Sequence, residues 1–315
     1  MRDRWRDNRL RALLGTEHPV IQAGMIHNSG AELAAAAANA GCLGLIAAGS
    51  FRPDDLRDEI RRCRQLTDRR FGVNLPLIHR HAAGCLEVIL DEGIDVVVSS
   101  AGSPRRVAGP LQEAGVTWLH VASSPGLARK CQEAGCDAVV VEGFEAGGHD
   151  GREELTTMVL VPAARRVVDV PLVAAGGIAT GAQMAAAIAL GADGVQIGSR
   201  FAVTRESAGH PAFKQAVVAG DDTRLVLKKH IPVRLLRNRF REQVEELEAR
   251  GATREELAAL LGEGRARRGM AEGDLEEGEL EIGQVAALID DIPSVAEVVA
   301  RLLREYDAAV ARLAG

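Results

Sequence analysis

The sequence is poor in aromatic side chains: 2 Trp, 1 Tyr and 6 Phe make up 3% of its 315 residues. Proteins that bind single-stranded nucleic acids stack the bases on aromatic rings, so this scarcity argues against that class. The formal net charge is -6, whereas nucleic acids and anionic membranes attract proteins with a positive balance. No stretch approaches the roughly 18 consecutive apolar residues of a membrane-spanning helix. The sequence therefore predicts neither a nucleic-acid-binding protein nor a membrane protein.

Cysteines are few, and none of the five stands in a C-x-x-C motif. An odd number of separated cysteines is typical of reduced, mostly buried thiols in a cytosolic protein. The N-terminal stretch MRDRWRDNRL is charged and has no apolar segment, which predicts no secretory signal peptide. We therefore expect a cytoplasmic protein with reduced thiols at Cys42, Cys63, Cys85, Cys131 and Cys136.

Short apolar, β-rich runs alternate with helical patterns rich in Ala, Leu, Glu and Arg through the N-terminal two thirds of the chain. Strands that are apolar on both faces and separated by helices are typical of a parallel sheet covered by helices. Eight such units predict a (β/α)8 TIM barrel, with an open doubly wound sheet as the alternative. The predicted strands occupy 19–25, 43–48, 71–75, 96–100, 117–122, 138–143, 171–177 and 194–200.

The composition changes in the C-terminal third. Residues 224–241 contain seven Lys or Arg and no acid, and residues 242–282 contain thirteen Asp or Glu against five Arg. Ser294 to Glu297 is a capping-box pattern that opens an amphipathic helix. These features predict a barrel over 1–222 and a helical extension with a closing helix over 223–315. The basic segment either docks an acidic carrier or pairs with the acidic stretch that follows it.

Two loops of the predicted barrel contain glycine where such barrels commonly bind phosphate. They follow the seventh and eighth strands and contain Gly176, Gly177, Gly198 and Ser199. Backbone N–H groups at Gly176 and Gly177 can approach phosphate oxygens, and Thr180 can cap the helix that follows. The alternative is that the glycines only form a βα turn. Because these loops follow the seventh and eighth strands, they predict a binding site for a ligand that carries a phosphate group.

The stretch EGFEAGGHDG places His149 on the loop after the sixth strand, at the same end of the barrel. Histidine is the natural proton acceptor near neutral pH. Gly147 and Gly148 before it, and Gly151 after it, leave space beside the imidazole for a flat ligand. The alternative is a structural histidine bonded to the backbone. We interpret His149 as the catalytic residue.

Other polar or flexible positions share this end of the barrel. Gly24 and Met25 end the first strand, Asn74 ends the third, Glu142 ends the sixth, and Gln196 lies on the eighth. The amides can bond the N–H and C=O groups of a heterocycle, or they can satisfy neighbouring loops instead. Five other histidines show no metal-ligand spacing with Cys or carboxylates, so we interpret them as structural or exposed and expect no metal site. They are His79, His81, His120, His210 and His230.

These motifs resemble the FMN-dependent barrel family of nitronate monooxygenases, formerly called 2-nitropropane dioxygenases, which also contains the flavin-dependent enoyl-acyl-carrier-protein reductases. The resemblance covers about residues 16–215, and 283–294 more loosely. It implies bound FMN, with His149 beside the flavin. The motifs that resemble the family are PVIQAGM, FGVNL, VVVEGFEAGGHDG, LVAAGGIATG and GADGVQIGSRFAVTRES. The resemblance implies cofactor contacts at Gly24, Met25, Asn74, Glu142, Gly147, Gly148, Gly176, Gly177, Gln196, Gly198 and Ser199.

Within this family the branch is open. Family monooxygenases often have Gln where this chain has Glu142, and Arg where it has Asp150. The reductases have Glu at the first position and a motif like Thr156-Thr157-Met158. The resemblance favours a monooxygenase that oxidises nitronates or nitroalkanes with O2 to carbonyl compounds and nitrite. An NAD(P)H-dependent enoyl or quinone reductase is the alternative, and a non-catalytic ligand-binding barrel is a third. The use of NAD(P)H and a homodimeric assembly stay open.

Overall fold

Eight parallel strands form the barrel in a computed structural model that describes residues 5–315. Residues 1–4, the start of the charged N-terminal stretch, lie outside the described residues. The barrel strands are β1 (Val20–Gln22), β2 (Gly44–Ala47), β3 (Phe71–Pro76), β4 (Val96–Ser100), β5 (Thr117–Ala122), β6 (Ala138–Glu142), β8 (Leu172–Ala175) and β9 (Gly194–Ile197). Their order is β1-β9-β8-β6-β5-β4-β3-β2. Backbone hydrogen bonds from Leu43 N to Val20 O (2.9 Å) and from Gln22 N to Leu43 O (2.8 Å) join β1 to the chain at β2. The predicted TIM barrel is confirmed.

Three further strands form a separate small sheet. They are β7 (Gly148–His149), β10 (Thr223–Val226) and β11 (Val233–Leu236). Their order is β10-β11-β7. The shortest of them, β7, lies in the loop after β6 and contains His149. The other two form a hairpin in the predicted extension.

Helices lie between the barrel strands and through the C-terminal third. The α-helices are α1 (Arg9–Leu14), α2 (Ala31–Asn39), α3 (Pro53–Leu66), α4 (Ala82–Asp91), α5 (Ala108–Glu113), α6 (Pro125–Glu133), α7 (Thr157–Arg165), α8 (Gly181–Ala189), α9 (Ser199–Ala202), α10 (Pro211–Ala219), α11 (Arg239–Ala249), α12 (Arg254–Leu261) and α13 (Val295–Ala314). The short helix α9 follows β9 directly, and α10 leads into the hairpin.

The barrel interior is a closed apolar core. Val98, Val140 and Val173 from the strands pack there against Leu10 and Leu14 of α1. The alternate residues of the same strands point outward and pack in a second cluster with the surrounding helices. Burial on both faces explains why the strands read as continuous apolar runs. It also leaves polar chemistry to the loops at the strand ends.

The C-terminal third is only partly helical. The prediction of a helical extension missed the β10–β11 hairpin, in which Thr223 to Val226 pairs antiparallel with Val233 to Leu236. The hairpin packs on α11 and α12 through a cluster that contains Val226, Leu235, Phe240 and Leu257. The second strand of the hairpin, β11, also pairs antiparallel with β7, which is distant in the sequence. A sequence pattern of basic residues contains no signal for such a long-range pairing.

The closing helix α13 begins where the capping box predicted it. Ser294 accepts a hydrogen bond from the backbone N–H of Glu297, and the Glu297 side chain accepts one from the backbone N–H of Ser294. Val295, Val298, Val299 and Leu302 are buried. Glu305 also accepts a hydrogen bond (2.8 Å) from Gly181 N at the start of α8. Within residues 5–315, no helix is both long enough and apolar enough to cross a membrane.

The basic segment 224–241 is largely paired with acids, as one of its two interpretations predicted. Arg224 and Arg241 lie 3.8 and 3.2 Å from Glu245, and Arg237 lies 2.9 Å from Glu242. Lys228 instead pairs with Glu154 in the loop that contains His149. The segment therefore offers little unpaired charge to an acidic carrier.

Candidate active site

A cavity of about 930 Å³ opens at the carboxyl ends of the barrel strands. Its volume is near the upper end of the roughly 300–1,000 Å³ of ordinary ligand sites. All twelve residues predicted from the sequence line it, so the barrel brings them together at one place. They are Gly24, Met25, Asn74, Glu142, Gly147, Gly148, His149, Gly176, Gly177, Gln196, Gly198 and Ser199.

One wall of the cavity is formed by the two glycine-containing loops. Gly176 and Gly177 follow β8 with φ of +83° and +70°, a backbone region that glycine enters without strain. Thr180 then caps α8, with Gln183 completing the capping box. Ser199, after β9, accepts a hydrogen bond (2.9 Å) from Gly283 N. Small residues beside a helix N-terminus fit a phosphate group, because the helix dipole and bare backbone favour an anion there.

A second wall presents amide side chains. Asn74 donates to the carbonyl of Val98 (3.0 Å), which fixes its orientation at the end of β3. Gln196 on β9 is 6% exposed, and its Oε1 has no hydrogen-bond partner among residues 5–315. A buried acceptor without a donor raises the free energy of the folded state, so a ligand N–H group that donates to Gln196 Oε1 would be stabilising. The glycine loops and this acceptor together fit a flavin that bears a phosphate.

His149 lies in β7 and faces the cavity. Although its imidazole is accessible from the cavity, the surrounding protein lowers the pKa of His149 by burial, and only the charge of Glu279 opposes this. A lowered pKa keeps the imidazole neutral at pH 7, the form that can accept a proton. The position and the protonation state both suit the proton-transfer role predicted for His149.

Buried carboxyl groups surround this histidine. Burial raises the pKa of Glu142 to about 7 and that of Glu281 to about 7. Burial raises the pKa of Asp150 to about 9, with repulsion from Glu142 adding to it and Arg234 opposing it. Asp150 is 9% exposed, and its Oδ2 has no hydrogen-bond partner among the described residues. At neutral pH the cavity wall therefore holds a protonated Asp150, and Glu142 and Glu281 titrate close to pH 7.

Several lining residues were missed by the sequence analysis. Glu281, Ile282 and Val285 come from the segment before α13 and close the cavity beside the glycine loops. His120, which the sequence left as structural or exposed, is buried in the cavity wall and bonds Ser99 Oγ (2.7 Å). Burial lowers the pKa of His120 to about 4, although the hydrogen bond between His120 and Gly102 O acts to raise it. The only sequence signal for it was a histidine inside an apolar strand.

The five cysteines are buried and unbonded, as predicted. Within residues 5–315, no group of three or more His, Cys, Asp or Glu side chains is disposed to hold a metal ion.

Comparison with known proteins identifies the family. The family profile of nitronate monooxygenase matches residues 7–85 and 80–305. A 5-hydroxy-7a-methyl-1-oxo-octahydro-1H-indene-4-carboxyl-CoA dehydrogenase from Mycobacterium tuberculosis is 33% identical, over 92% of this chain and 93% of its own.

Two solved structures show the same fold. FabK from Thermotoga maritima is 41% identical, with a TM-score of 0.93 and 98% of each chain covered. Nitroalkane oxidase from Streptomyces ansochromogenes is 31% identical, with a TM-score of 0.84 and coverage of 96% of this chain and 99% of its own. The chain therefore belongs to the nitronate monooxygenase family, whose members are in general flavin-dependent oxidoreductases.

Proposed function

We propose that the protein is an FMN-dependent reductase that uses NAD(P)H to reduce the carbon–carbon double bond of an enoyl thioester. The observation that supports this most directly is the extent of the cavity. It runs from the glycine loops at Gly176 and Gly198 to an outer rim formed by the loops after β3, β4 and β5. Beyond the part of the cavity that a flavin would occupy, a small nitroalkane needs little room, whereas a long thioester arm could extend as far as the outer rim.

The chemistry of that outer rim also suits a thioester on a large anionic carrier. Residues 76–86, 99–112 and 121–132 contain no Asp or Glu, although the whole chain has a net charge of -6. Ile78 and Leu127 are 55% and 38% exposed and line the cavity. None of the five rim cations forms an ion pair within residues 5–315. They are Arg80, Arg105, Arg106, Arg129 and Lys130.

The comparisons support the same choice. FabK, an enoyl-acyl-carrier-protein reductase, is 41% identical to the chain, against 31% for nitroalkane oxidase. The Mycobacterium tuberculosis relative is also named for a CoA thioester. Glu142 and Thr156-Thr157-Met158 are the features that resembled the reductases in the sequence. Nitronate oxidation, which the sequence motifs favoured as a family label, is therefore the second candidate.

Bound FMN would supply the hydride chemistry that links NAD(P)H to the double bond of the substrate. Gly176, Gly177, Gly198 and Ser199 would hold its phosphate, and Gln196 would accept a hydrogen bond from its ring system. Asp150, next to His149, would supply the proton that the α-carbon needs, because burial raises the pKa of Asp150 to about 9 and it keeps its proton at pH 7.

The second candidate, oxidation of nitronates or nitroalkanes, is favoured by one property of the site. A neutral His149 can accept the α-proton of a neutral nitroalkane, and the lowered pKa of His149 keeps it in that form. The similarity of the chain to nitroalkane oxidase supports the same interpretation.

Anaerobic mixing of purified flavin-loaded protein separates the two functions. We expect NADH or NADPH to bleach the flavin absorbance rapidly, and crotonyl-CoA or a crotonyl carrier protein to restore it. Rapid bleaching by a nitronate, with none by either nicotinamide, would refute the reductase proposal and favour the second candidate.

Charge reversal on the rim tests the thioester carrier. We expect Arg105→Glu with Arg129→Glu to raise KM for a carrier-bound enoyl substrate by about fivefold to thirtyfold, from about 1–2 kcal/mol of lost attraction. The effect should weaken with salt. The matched control is Arg166→Glu with Arg312→Glu, two exposed residues that belong to none of the three rim segments. A small soluble enoyl thioester should be reduced equally by all variants.

A further inference from the structure

We propose that Arg234 is a positioning residue, which acts from outside the cavity by holding segment 144–150 so that His149 and Asp150 face the reaction space. Arg234 belongs to β11 in the C-terminal hairpin and does not line the cavity. This inference rests on the proposed function, because it assumes that the His149 segment takes part in the chemistry.

The guanidinium of Arg234 contacts both ends of this segment. Its Nε and Nη2 donate to the carbonyl oxygen of Phe144 at 3.2 and 2.7 Å, and its Cζ lies 5.2 Å from the centroid of the Phe144 ring. Its Nε also lies 3.9 Å from Oδ2 of Asp150. Arg234 is 2% exposed, so these contacts are shielded from water. One side chain thus holds Phe144, upstream of Gly147, by hydrogen bonds and lies beside Asp150, the residue after His149.

The backbone of the hairpin continues the same restraint. Gly148 and His149 pair antiparallel with Arg234 and Val233, and Asp150 N donates to Pro232 O (3.0 Å). A two-residue strand cannot hold its own geometry, because it has too few ladder bonds for independent stability. The direction of the His149 side chain is therefore set by β11.

A second contact joins the same loop to the hairpin from the outside. Arg152 donates to the carbonyl oxygens of Lys228 (2.9 Å) and His230 (2.6 Å). Arg152 is exposed, so its substitution disturbs the connection without creating a cavity in the core. It provides a milder test of the same restraint.

Arg234 is also the cation that faces Asp150. The acids that act on this carboxyl are Glu142, Glu145 and Glu281, all of which raise the pKa of Asp150, whereas Arg234 lowers it. Loss of Arg234 removes the attraction and leaves the repulsion. The pKa of Asp150 should then rise further, and any alkaline limit that it sets on activity should move to higher pH.

The experiment compares Arg234→Met, Arg234→Lys and Arg152→Ala with Arg237→Met as the matched control. Arg237 lies just past β11 but is exposed and pairs with Glu242. Each flavin-loaded variant is assayed for flavin content, for kcat and KM with NADPH and crotonyl-CoA, and for the pH dependence of kcat. Amide hydrogen exchange of peptides that cover 144–152 is measured by mass spectrometry as a readout independent of activity.

We expect Arg234→Met to lower kcat per bound flavin by roughly 10–100-fold, because small misplacements of catalytic groups have effects of that size. KM should change less, exchange in 144–152 should accelerate, and the alkaline limb should shift upward. Arg234→Lys should recover part of the rate, since a lysine restores charge and one donor. Arg237→Met should behave as the wild type.

Three outcomes would overturn the proposal. The first is unchanged exchange in Arg234→Met. The second is faster exchange with a wild-type kcat per flavin, which would make Arg234 merely structural. If Arg234→Met does not fold, Arg152→Ala decides, and wild-type exchange and kcat in that variant count against the proposal. If the wild type itself reduces no enoyl thioester, the proposed function fails, while the exchange data still report whether Arg234 holds the segment.

Discussion

Gly177→Asp tests the proposed phosphate site, with Gly177→Asn as its matched control. The two side chains have nearly the same shape and differ in charge. Gly177 has a φ of +70°, which Asp and Asn tolerate better than most residues. A β-carbon there would meet Glu145 Cβ at 3.2 Å in either variant. Strain and crowding are therefore shared, and the difference between the variants reports charge.

The expected difference can be worked from electrostatics. The new carboxylate would stand beside a phosphate at the separation of directly neighbouring groups. At about 4 Å, two unit charges interact by about 4 kcal/mol at an effective dielectric constant of about 20. Since 1.4 kcal/mol corresponds to a tenfold change, FMN should bind Gly177→Asp about a thousandfold more weakly than Gly177→Asn. The control should lose only what strain costs, about 1–2 kcal/mol.

Equilibrium dialysis of FMN against flavin-stripped protein measures both constants. Thermal unfolding of the stripped variants shows whether repulsion between the introduced carboxylate and Glu145 has disturbed the fold, independently of flavin. Equal affinity for FMN in Gly177→Asp and Gly177→Asn would mean that no anion lies at this loop. The assignment of Gly176, Gly177, Gly198 and Ser199 would then be wrong.

Two further changes probe the wall around His149. His149→Ala should lower thioester reduction by roughly 10²–10⁴-fold if the imidazole transfers a proton, while flavin bleaching by NADPH persists. Under the nitro alternative it should abolish turnover of neutral nitroalkane and spare preformed nitronate, and equal losses on both would show that His149 only positions the substrate. Burial raises the pKa of Asp150 to about 9, whereas in the unfolded state this carboxyl loses its proton above about pH 4. The free energy of unfolding therefore falls as the pH rises from about 4 to about 9. The free energy of unfolding of flavin-stripped protein can be measured in urea at pH 5.5 and at pH 8.5. Asp150→Asn should raise it by at least about 1 kcal/mol more at pH 8.5 than at pH 5.5. An equal change at the two pH values would contradict a buried, protonated Asp150.

The barrel could be predicted from sequence because its signals are local. Runs such as those at 138–143 and 194–200 are apolar on both faces and recur in eight copies, and the structure has strands Ala138–Glu142 and Gly194–Ile197 there. The capping box at Ser294 likewise depends on four neighbouring residues and marks the start of α13 correctly. Residue positions at the mouth then follow from topology, since parallel strands end together at one face.

What the sequence did not contain was the small sheet. β7 is two residues long, and β11 lies more than 80 positions beyond it. Neither segment has a period that identifies it, and Arg234 and its neighbours read as part of a basic run. Pairing across that separation depends on how the extension folds back on the barrel, which no local pattern encodes. The same holds for Glu281 and Ile282, which reach the cavity only through the fold.

The protonation states of the site follow from that same folding back. His149 and Asp150 belong to the barrel half of the chain, but charged residues of the extension act on both of them. Glu279 acts on His149, and Glu281 and Arg234 act on Asp150. A boundary between residues 222 and 223 therefore follows the change in sequence pattern, but the residues that form the site come from both sides of it. The barrel supplies the cavity and the glycine loops, and the extension supplies charged groups that shift the pKa values of His149 and Asp150. Chains that share the barrel motifs can then differ in activity through residues of the extension, because those motifs contain no information about the extension.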